Sequence, residues 1–245
     1  MNQENYLNLK ESEKDQYVYR IISTNRLYEL FSTRTNVLVR PVKWEDPFEN
    51  FILKSPARLS DGTIAQFGFH SSYYGQCWTL TATSDAMWRI YSPTSDGVRV
   101  RTTIRKLAAS LGTGLGQWAH IQAFIGKVRY LRDKELIEFG NSVFAAGLNP
   151  VALAHTLLVK RKAFRHEREI RLLYADNRNA PANDVFRYDI DPHALIDQIM
   201  IDPRLATDKA KALKEDVIQK TCFKGAIKRS LLYAPPKGLI FPVGD

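Results

Sequence analysis

The sequence predicts a single α+β domain, with a mixed, mostly antiparallel sheet and peripheral helices. Strand-like and helical stretches mix along the chain without regular alternation, and no repeat or linker divides its 245 residues convincingly. Hydrophobic residues make up 44% of the chain, which is enough for a sizeable core. The domain is predicted over residues 16–245, and residues 1–15 are predicted to form a polar N-terminal tail.

Strands are predicted where β-branched and aromatic residues cluster, and helices where apolar residues recur at helical spacing after a capping residue. The predicted strands cover residues 17–22, 36–40, 76–80, 97–101, 123–130, 166–174, 185–190, 196–201 and 226–233. The predicted helices cover residues 24–31, 47–53, 85–91, 102–111, 132–146, 150–163 and 206–220. Residues 55–75 are predicted to be a long loop, and residues 112–116 a flexible turn.

The stretch from Arg165 to Tyr174 is central to any functional hypothesis. If it is a strand, Glu167, Glu169 and Arg171 share one face, and burying that face is costly. One interpretation is an edge strand whose charges lie in water, and it is favoured because charge runs are usually solvated. The other is a catalytic carboxylate on a rigid strand, with the second glutamate as helper and Arg171 as counter-charge.

Composition limits the kinds of partner that the protein is expected to bind and the cellular compartment in which it is expected. A formal net charge of +9 indicates an anionic partner, such as nucleic acid or a phosphorylated small molecule. Cys77 and Cys222 lie far apart, which is typical of a protein in the reducing cytoplasm. No apolar run is long enough to cross a bilayer, and the N-terminus lacks the apolar core of a signal peptide. The sequence therefore predicts a cytoplasmic protein without a membrane partner; it leaves the oligomeric state open.

Acidic and histidine residues offer little support for a metal site. The histidines are scattered without ligand spacing, so no metal is expected. Glu45, Asp46 and Glu49 could gather a divalent cation together with waters. The favoured interpretation is structural, with Asp46 capping a helix and the glutamates complementing its positive end.

Aromatic and basic residues offer a second kind of candidate site. Trp88 and Tyr91 lie on one predicted helix, where core packing is the default and stacking on a base or a nicotinamide ring is the functional alternative. Trp78 could add to such an aromatic wall from a strand. On the first strand Tyr19 and Arg20 face opposite ways, and Arg20 in a cleft would bind a phosphate bidentately.

Five motifs in order resemble a widespread bacterial family that is catalogued as a domain of unknown function. They are Tyr17-x-Tyr19-Arg20, Asp46-Pro47-Phe48-Glu49, Cys77-Trp78-Thr79, Met87-Trp88-x-x-Tyr91 and His166-Glu167-x-Glu169-x-Arg171. The resemblance extends from about residue 16 to about residue 233. Three positions depart from the family pattern: Trp78-Thr79 replaces Phe-Ser, Phe164-Arg165-His166 replaces an aromatic pair, and Glu45 replaces an asparagine.

The order of the chemistry-bearing residues also resembles an ADP-ribosyltransferase fold, with a basic residue on the first strand, a hydroxyl on a middle strand and a late Glu-x-Glu strand. This resemblance implies NAD as substrate, no metal, and a setting in bacterial conflict or defence. It implies that Glu169 holds the ribose hydroxyls, that Glu167 orients the acceptor and that Thr79 orders the nicotinamide ribose. The cofactor-binding residues that the resemblance implies are Arg20 and either Trp88 or Tyr91. Tyr19 and Trp78 are further candidates for cofactor binding, and the candidate substrate or charge contacts are Arg171, Lys160, Arg161 and Lys162.

The leading hypothesis is therefore NAD-dependent ADP-ribosyl transfer to a nucleic acid or protein acceptor. The alternative is a non-catalytic basic domain that binds nucleic acid, with steep salt dependence. Its phosphate contacts would be Arg99, Arg101, Arg105, Lys106, Lys160, Arg161, Lys162 and Arg165. A third hypothesis is a Mg²⁺-dependent nuclease that uses Glu45, Asp46 and Glu49.

Overall fold

The computed structural model describes residues 1–44, 46, 49–59, 61–66, 68–145, 147, 149–176, 183–234, 236, 238 and 240–242. The strands are β1 (Tyr6–Leu7), β2 (Tyr17–Ser23), β3 (Thr35–Val39), β4 (Ala57–Arg58), β5 (Ile64–Ala65), β6 (Tyr73–Thr79), β7 (Gly97–Thr103), β8 (Ala123–Lys127), β9 (Arg129–Leu131), β10 (Val159–Arg161), β11 (Glu169–Ala175), β12 (Val185–Asp189), β13 (Gln198–Ile201) and β14 (Ala226–Arg229). The helices are α1 (Thr24–Thr33), α2 (Phe51–Lys54), α3 (Asp85–Tyr91), α4 (Ile104–Leu115), α5 (Ala119–Gln122), α6 (Asp133–Ala145), α7 (Pro150–Thr156), α8 (Pro192–Leu195) and α9 (Thr207–Thr221). None of the helices in these described ranges is both long and apolar enough to cross a membrane.

One large sheet organises the described residues, and the predicted α+β class with a mixed, mostly antiparallel sheet is confirmed. Its strand order is β1-β8-β11-β6-β2-β7-β13-β14, with β3 also paired to β6 and β12 paired to β3. Within this sheet β1–β8 and β13–β14 are the parallel pairs. The other pairings are antiparallel, as in β11 with β6 and β2 with β7.

The two faces of the sheet pack against different helices. On one face, Ile170 and Leu172 of β11 belong to the main core, which includes Leu27 of α1, Leu107 of α4 and Val217 of α9. On the other face, a smaller core joins Leu173 of β11, Phe124 of β8 and Leu153 of α7. Because side chains alternate along a strand, β11 supplies both cores.

Strand β11 lies inside the sheet, so the favoured prediction of a solvated edge strand is wrong. It pairs with β6 from Glu169 to Ala175 and with β8 from Ile170 to Tyr174. All of its residues are buried, and Arg171 is 0% exposed. Glu167 precedes the strand, in a 3₁₀ helix over Lys162–Glu167. The charge run misled the prediction because its environment depends on pairing with β6 and β8 and on the distant Glu49, as well as on the nearby Lys160.

The sheet has a gap beside the N-terminal end of β11, where Glu169 lies opposite Thr79 of β6. Strand β2 pairs with β6 at Tyr19 opposite Thr79, and β3 pairs with β6 at Val39 opposite Gly75. Two strands therefore share one edge of β6, and they separate from each other between these contacts. The gap gives a ligand access to side chains of a central strand.

The N-terminal segment differs from its predicted form as a polar tail. Asn5 is 1% exposed, and its amide donates to the carbonyls of His120 and Ala123 at 3.0 and 2.7 Å. Strand β1 extends the sheet beside β8, and Leu7 is buried. The short apolar spacing of this segment is too weak a signal to predict such docking. The single-domain boundary at residue 16 stays a prediction.

Several element boundaries also differ from the predicted ones. The predicted helix over 150–163 ends at Thr156, and the chain then forms β10, which pairs with β9. The predicted turn at 112–116 is helical as far as Leu115. Gly114 lies against the Tyr188 ring, where an added Cβ would come within 2.9 Å, so this glycine serves close packing. The predicted loop over 55–75 contains the short pair β4–β5 and the start of β6. The predicted helix start at Pro47 and Phe48 lies outside the described residues.

Candidate active site

A cavity of about 340 Å³ lies at the opening of the sheet. Arg20 of β2 lines it, together with Glu169 of β11 and Tyr91 of α3. Lys160 of β10 and Glu167 of the 3₁₀ helix also line it, and the other charged lining residues are Lys43, Asp46 and Glu49. The structure thus brings together five residues that the sequence singled out, from five separate elements.

The carboxylates of this wall are buried and held by cations. Glu167 and Glu169 are each 5% exposed. Glu169 Oε2 accepts from Arg171 Nε at 2.9 Å and from Arg171 Nη2 at 2.6 Å. Glu167 Oε2 accepts from Lys160 Nζ at 2.5 Å. These charge-assisted bonds fix the orientation of both carboxylates.

Burial and neighbouring charges shift the pKa values of Glu167, Lys160 and Arg171. Burial raises the pKa of Glu167, the nearby Glu169 carboxylate raises it further, and the bond from Lys160 opposes both. Burial lowers the pKa of Lys160, but Glu169 and Glu49 outweigh it, so that pKa lies above its usual value. The pKa of Arg171 is also raised, because Glu169 outweighs the burial of its guanidinium. The cations therefore stay charged, and Glu167 is the carboxylate whose charge burial opposes.

Arg20, on β2, is a further cation that lines the cavity. Within the described part of the chain its guanidinium makes no hydrogen bond and no ion pair, although it lines both this cavity and a neighbouring one of about 180 Å³. Burial lowers the pKa of Arg20. An unpaired, partly desolvated guanidinium is suited to binding an anionic group of a ligand.

Thr79 supports the carboxylate wall from the neighbouring strand. Its hydroxyl donates to the main-chain carbonyl of Glu167 and accepts from the Thr81 amide at 2.9 Å. Thr79 lies directly opposite Glu169 in the register of β6 and β11. The Glu169 amide in turn donates to the Tyr130 hydroxyl at 2.8 Å. Thr79 therefore positions the segment that carries both glutamates.

The aromatic candidates divide between the cavity and the core. Tyr91 lines the cavity, and burial raises the pKa of its hydroxyl. Trp78 lies in the main core, where its indole donates to Gln76 Oε1 at 2.7 Å. Trp88 is 1% exposed and does not line the cavity, and neither does Tyr19, which lies against the Arg99 guanidinium. The structure thus brings only one of these four aromatic residues to the cavity.

The basic residues that the sequence groups together do not form one surface. Lys160 is buried among carboxylates, and Arg161 pairs with Asp46 at 3.0 Å. Lys162 is exposed on the 3₁₀ helix. The other members divide similarly: Arg99 is buried, Arg101 stacks on Tyr17, Arg105 pairs with Asp15, Lys106 pairs with Asp197, and Arg165 is exposed.

The acidic trio has a different environment from a metal site. Glu45 lies outside the described residues, and Asp46 pairs with Arg161. Glu49 contacts Lys160 at 2.7 Å and Arg171 at 3.2 Å. In the described ranges, no group of three or more histidine, cysteine, aspartate or glutamate side chains is arranged to hold a metal ion.

Sequence reasoning missed the role of two residues at this site. Glu49 joins the carboxylate wall, although it precedes Glu167 by more than a hundred positions. Trp44 lines the cavity and stacks on the Arg171 guanidinium, 4.4 Å from its ring centroid. Glu49 is the last residue of the Asp-Pro-Phe-Glu motif and Trp44 lies just before that motif, but neither position carries information about a contact with β11.

Comparisons with known proteins assign no family to this chain. No family model and no curated protein matches the sequence. Solved structures of DarT from Thermus sp. 2.9 match at 10–12% identity, over 88–89% of this chain and 94–96% of theirs, with TM-scores of 0.39–0.41. They contain NAD⁺, carba-NAD⁺ and ADP-ribosylated ssDNA. The sequence identity and the TM-scores are low, and the family resemblances stay predictions.

Proposed function

We propose that this chain transfers ADP-ribose from NAD to an acceptor, with the cavity at the sheet opening as its active site. The observation that carries the proposal is the unpaired Arg20 guanidinium, which lines the same cavity as the buried carboxylates of Glu167 and Glu169. Arg20 is suited to the diphosphate of NAD, which is the anionic part of that substrate. Tyr91 offers the cavity an aromatic surface for the nicotinamide ring.

The carboxylate wall suits the chemistry of this reaction. When the bond between C1 of the ribose and the nicotinamide nitrogen breaks, nicotinamide leaves with the electron pair and the ribose becomes an oxocarbenium-like cation. Glu169, held by Arg171, is a fixed carboxylate that would stabilise this charge without reorganising. Glu167 would accept the proton that the acceptor loses as its lone pair bonds to the ribose carbon.

The rim of the cavity favours a nucleic acid acceptor over a protein. Lys162, Arg165 and Arg168 are exposed on the segment 162–168, which lines the cavity through Phe164, His166 and Glu167, and they have no carboxylate partner within the described residues. Glu167 is the one carboxylate of this segment, and it points inward to Lys160. We name Lys162, Arg165 and Arg168 the cationic rim; such a rim attracts phosphates.

The direct experiment measures nicotinamide released from NAD, with and without single-stranded DNA, RNA or a protein extract. Glu169→Gln should lower the release rate by about 10²–10³-fold, because it removes the charge that stabilises the cation. Glu138→Gln is a matched control, since Glu138 is exposed and pairs only at 3.9 Å with Lys134. No release with any acceptor would refute the enzymatic proposal.

The second candidate function is a non-catalytic domain that binds nucleic acid through the same cationic rim. It predicts salt-sensitive binding of DNA or RNA that is indifferent to Glu169→Gln and to added NAD. The effect of Glu169→Gln therefore distinguishes the two candidate functions. The setting in bacterial conflict or defence and the location in the cytoplasm stay predictions.

A further inference from the structure

Four buried charged side chains at the cavity form a closed ring of alternating sign: Lys160, Glu49 and Glu169 line the cavity, and Arg171 is fully enclosed next to them. Lys160 Nζ lies 2.7 Å from Glu49 Oε1, and Glu49 Oε2 lies 3.2 Å from Arg171 Nη2. Arg171 Nη2 lies 2.6 Å from Glu169 Oε2, and Glu169 Oε1 lies 3.7 Å from Lys160 Nζ. The ring therefore returns to its starting residue through two cations and two carboxylates.

The ring is balanced in charge, and Glu167 is an additional carboxylate outside it. Glu167 bonds to Lys160 from the side, at 2.5 Å. All five side chains are buried, with Arg171 the most completely enclosed. Charges removed from water need close partners, and removing one member leaves another without compensation. The loss of Glu49 would therefore affect both of the cations that hold Glu169.

Glu49 bridges the two cations of the ring. It reaches Lys160 and Arg171 with different oxygens, so it ties β10 to β11 across the cavity wall. Arg171 is fixed from other directions by the Leu157 carbonyl at 2.7 Å and by the Trp44 ring. Glu169 Oε1 accepts no hydrogen bond within the described residues, so it retains capacity for a ligand hydroxyl.

Resting on the proposed function, we propose that Glu49 is a positioning residue: it closes the ring that holds Glu169 in place and separates the role of Glu169 from that of Glu167. In this arrangement Glu169 is the carboxylate held in a fixed position, and Glu167 is the carboxylate that exchanges a proton. Glu49 itself acts through Lys160 and Arg171.

The kinetic test compares Glu49→Gln with wild type for both NAD binding and nicotinamide release. We expect kcat to fall on the order of 10²-fold, because a small displacement of a catalytic group is costly, while the Kd for NAD stays within about threefold. Glu49→Asp keeps the charge and should recover part of kcat. An unchanged kcat in Glu49→Gln would overturn the proposal, and so would equal losses in the Gln and Asp variants.

A second test is independent of catalysis. It follows the titration of Glu167 by NMR, in protein labelled with ¹³C at the glutamate side-chain carboxyl. The groups facing Glu167 are Lys160, Glu169, Glu49, Tyr91 and Tyr130. Glu49→Gln removes a nearby negative charge and should lower the midpoint by about one pH unit, whereas Lys160→Met should raise it.

These opposite shifts distinguish positioning from a general loss of structure, which would move both variants toward the value of an exposed glutamate. A Glu167 midpoint that is the same in Glu49→Gln and wild type would show that the ring does not act on this carboxylate. If wild type neither binds NAD nor releases nicotinamide, the proposed function fails, while the titration still decides whether the ring exists. Melting temperatures of every variant, with Glu138→Gln as control, verify the fold.

Discussion

Arg20 is the residue whose removal tests ligand binding most cleanly. Its guanidinium makes no hydrogen bond or ion pair within the described residues, so Arg20→Gln removes no such interaction there, and burial already lowers its pKa. We expect the Kd for NAD to rise by about 10- to 100-fold, since a hydrogen bond to a charged group contributes about 1.5–3 kcal/mol. Calorimetric titration measures this, and the free energy of unfolding should not fall.

The control for Arg20→Gln is Arg132→Gln, which removes the same charge at an exposed position outside the cavity. Equal losses of affinity in both variants would mean that net charge, and not the position of Arg20, attracts the ligand. A large loss of stability in Arg20→Gln would mean that the guanidinium is a structural element of the sheet opening.

Glu167 should make stability depend on pH. The folded-state pKa of Glu167 is raised above the ordinary value of 4.5. The contribution of Glu167 to the free energy of unfolding is therefore fully present below pH 4.5, and it is lost as pH rises through the raised folded-state pKa. Glu167→Gln removes this dependence. The free energy of unfolding of wild type, measured in urea relative to the variant, should therefore decrease as pH rises from about 4 to about 8. A constant or increasing difference would contradict the raised pKa.

Strand β6 illustrates how an element supports the cavity. An added Cβ at Gly75 would come within 2.6 Å of Trp44 Cζ2 and 3.1 Å of Leu173 Cδ2. Gly75→Ala should therefore displace Trp44 from Arg171 and cost about 1–3 kcal/mol of unfolding free energy, which chemical denaturation measures. Gly68→Ala, whose Cβ would meet no atom within 4 Å, should be close to neutral.

The elements also show what a sequence can and cannot predict. Local patterns predict β2, α3 and β7 well, because their signals lie within a few residues. The charge run at β11 was misjudged because its environment depends on pairing with β6 and β8 and on a distant Glu49. Solvation of a charge run is a statistical expectation, and only the three-dimensional partners decide it.

The candidate site was predictable in part for the same reason. The sequence singled out Arg20, Glu167, Glu169 and Tyr91, which all line the cavity. It could not exclude Trp88, because an aromatic stripe on a short helix does not reveal which side meets the core. Lys160 was assigned to a predicted helix and was a candidate for contacts with substrate or phosphate, yet it lies on β10 among carboxylates.

At the scale of the whole molecule, the exposed basic residues behind the net charge of +9 lie on more than one element, so the position of the charge can be tested separately from its size. The cationic rim of Lys162, Arg165 and Arg168 lies beside the cavity. Lys209, Lys211 and Lys214 are equally exposed on α9, which packs on the main core. The two groups therefore form a matched pair of three charges each.

Replacing the rim residues with glutamine should weaken single-stranded nucleic acid binding and reduce the slope of log K against log salt by about 2, because each phosphate contact contributes about 0.7. The same change on α9 should leave the slope nearly unaltered. Fluorescence anisotropy with a labelled oligonucleotide, at several salt concentrations, measures both. If the slope of log K against log salt falls equally in the two triple variants, nucleic acid is attracted by total charge alone. The cationic rim then does not direct an acceptor to the cavity.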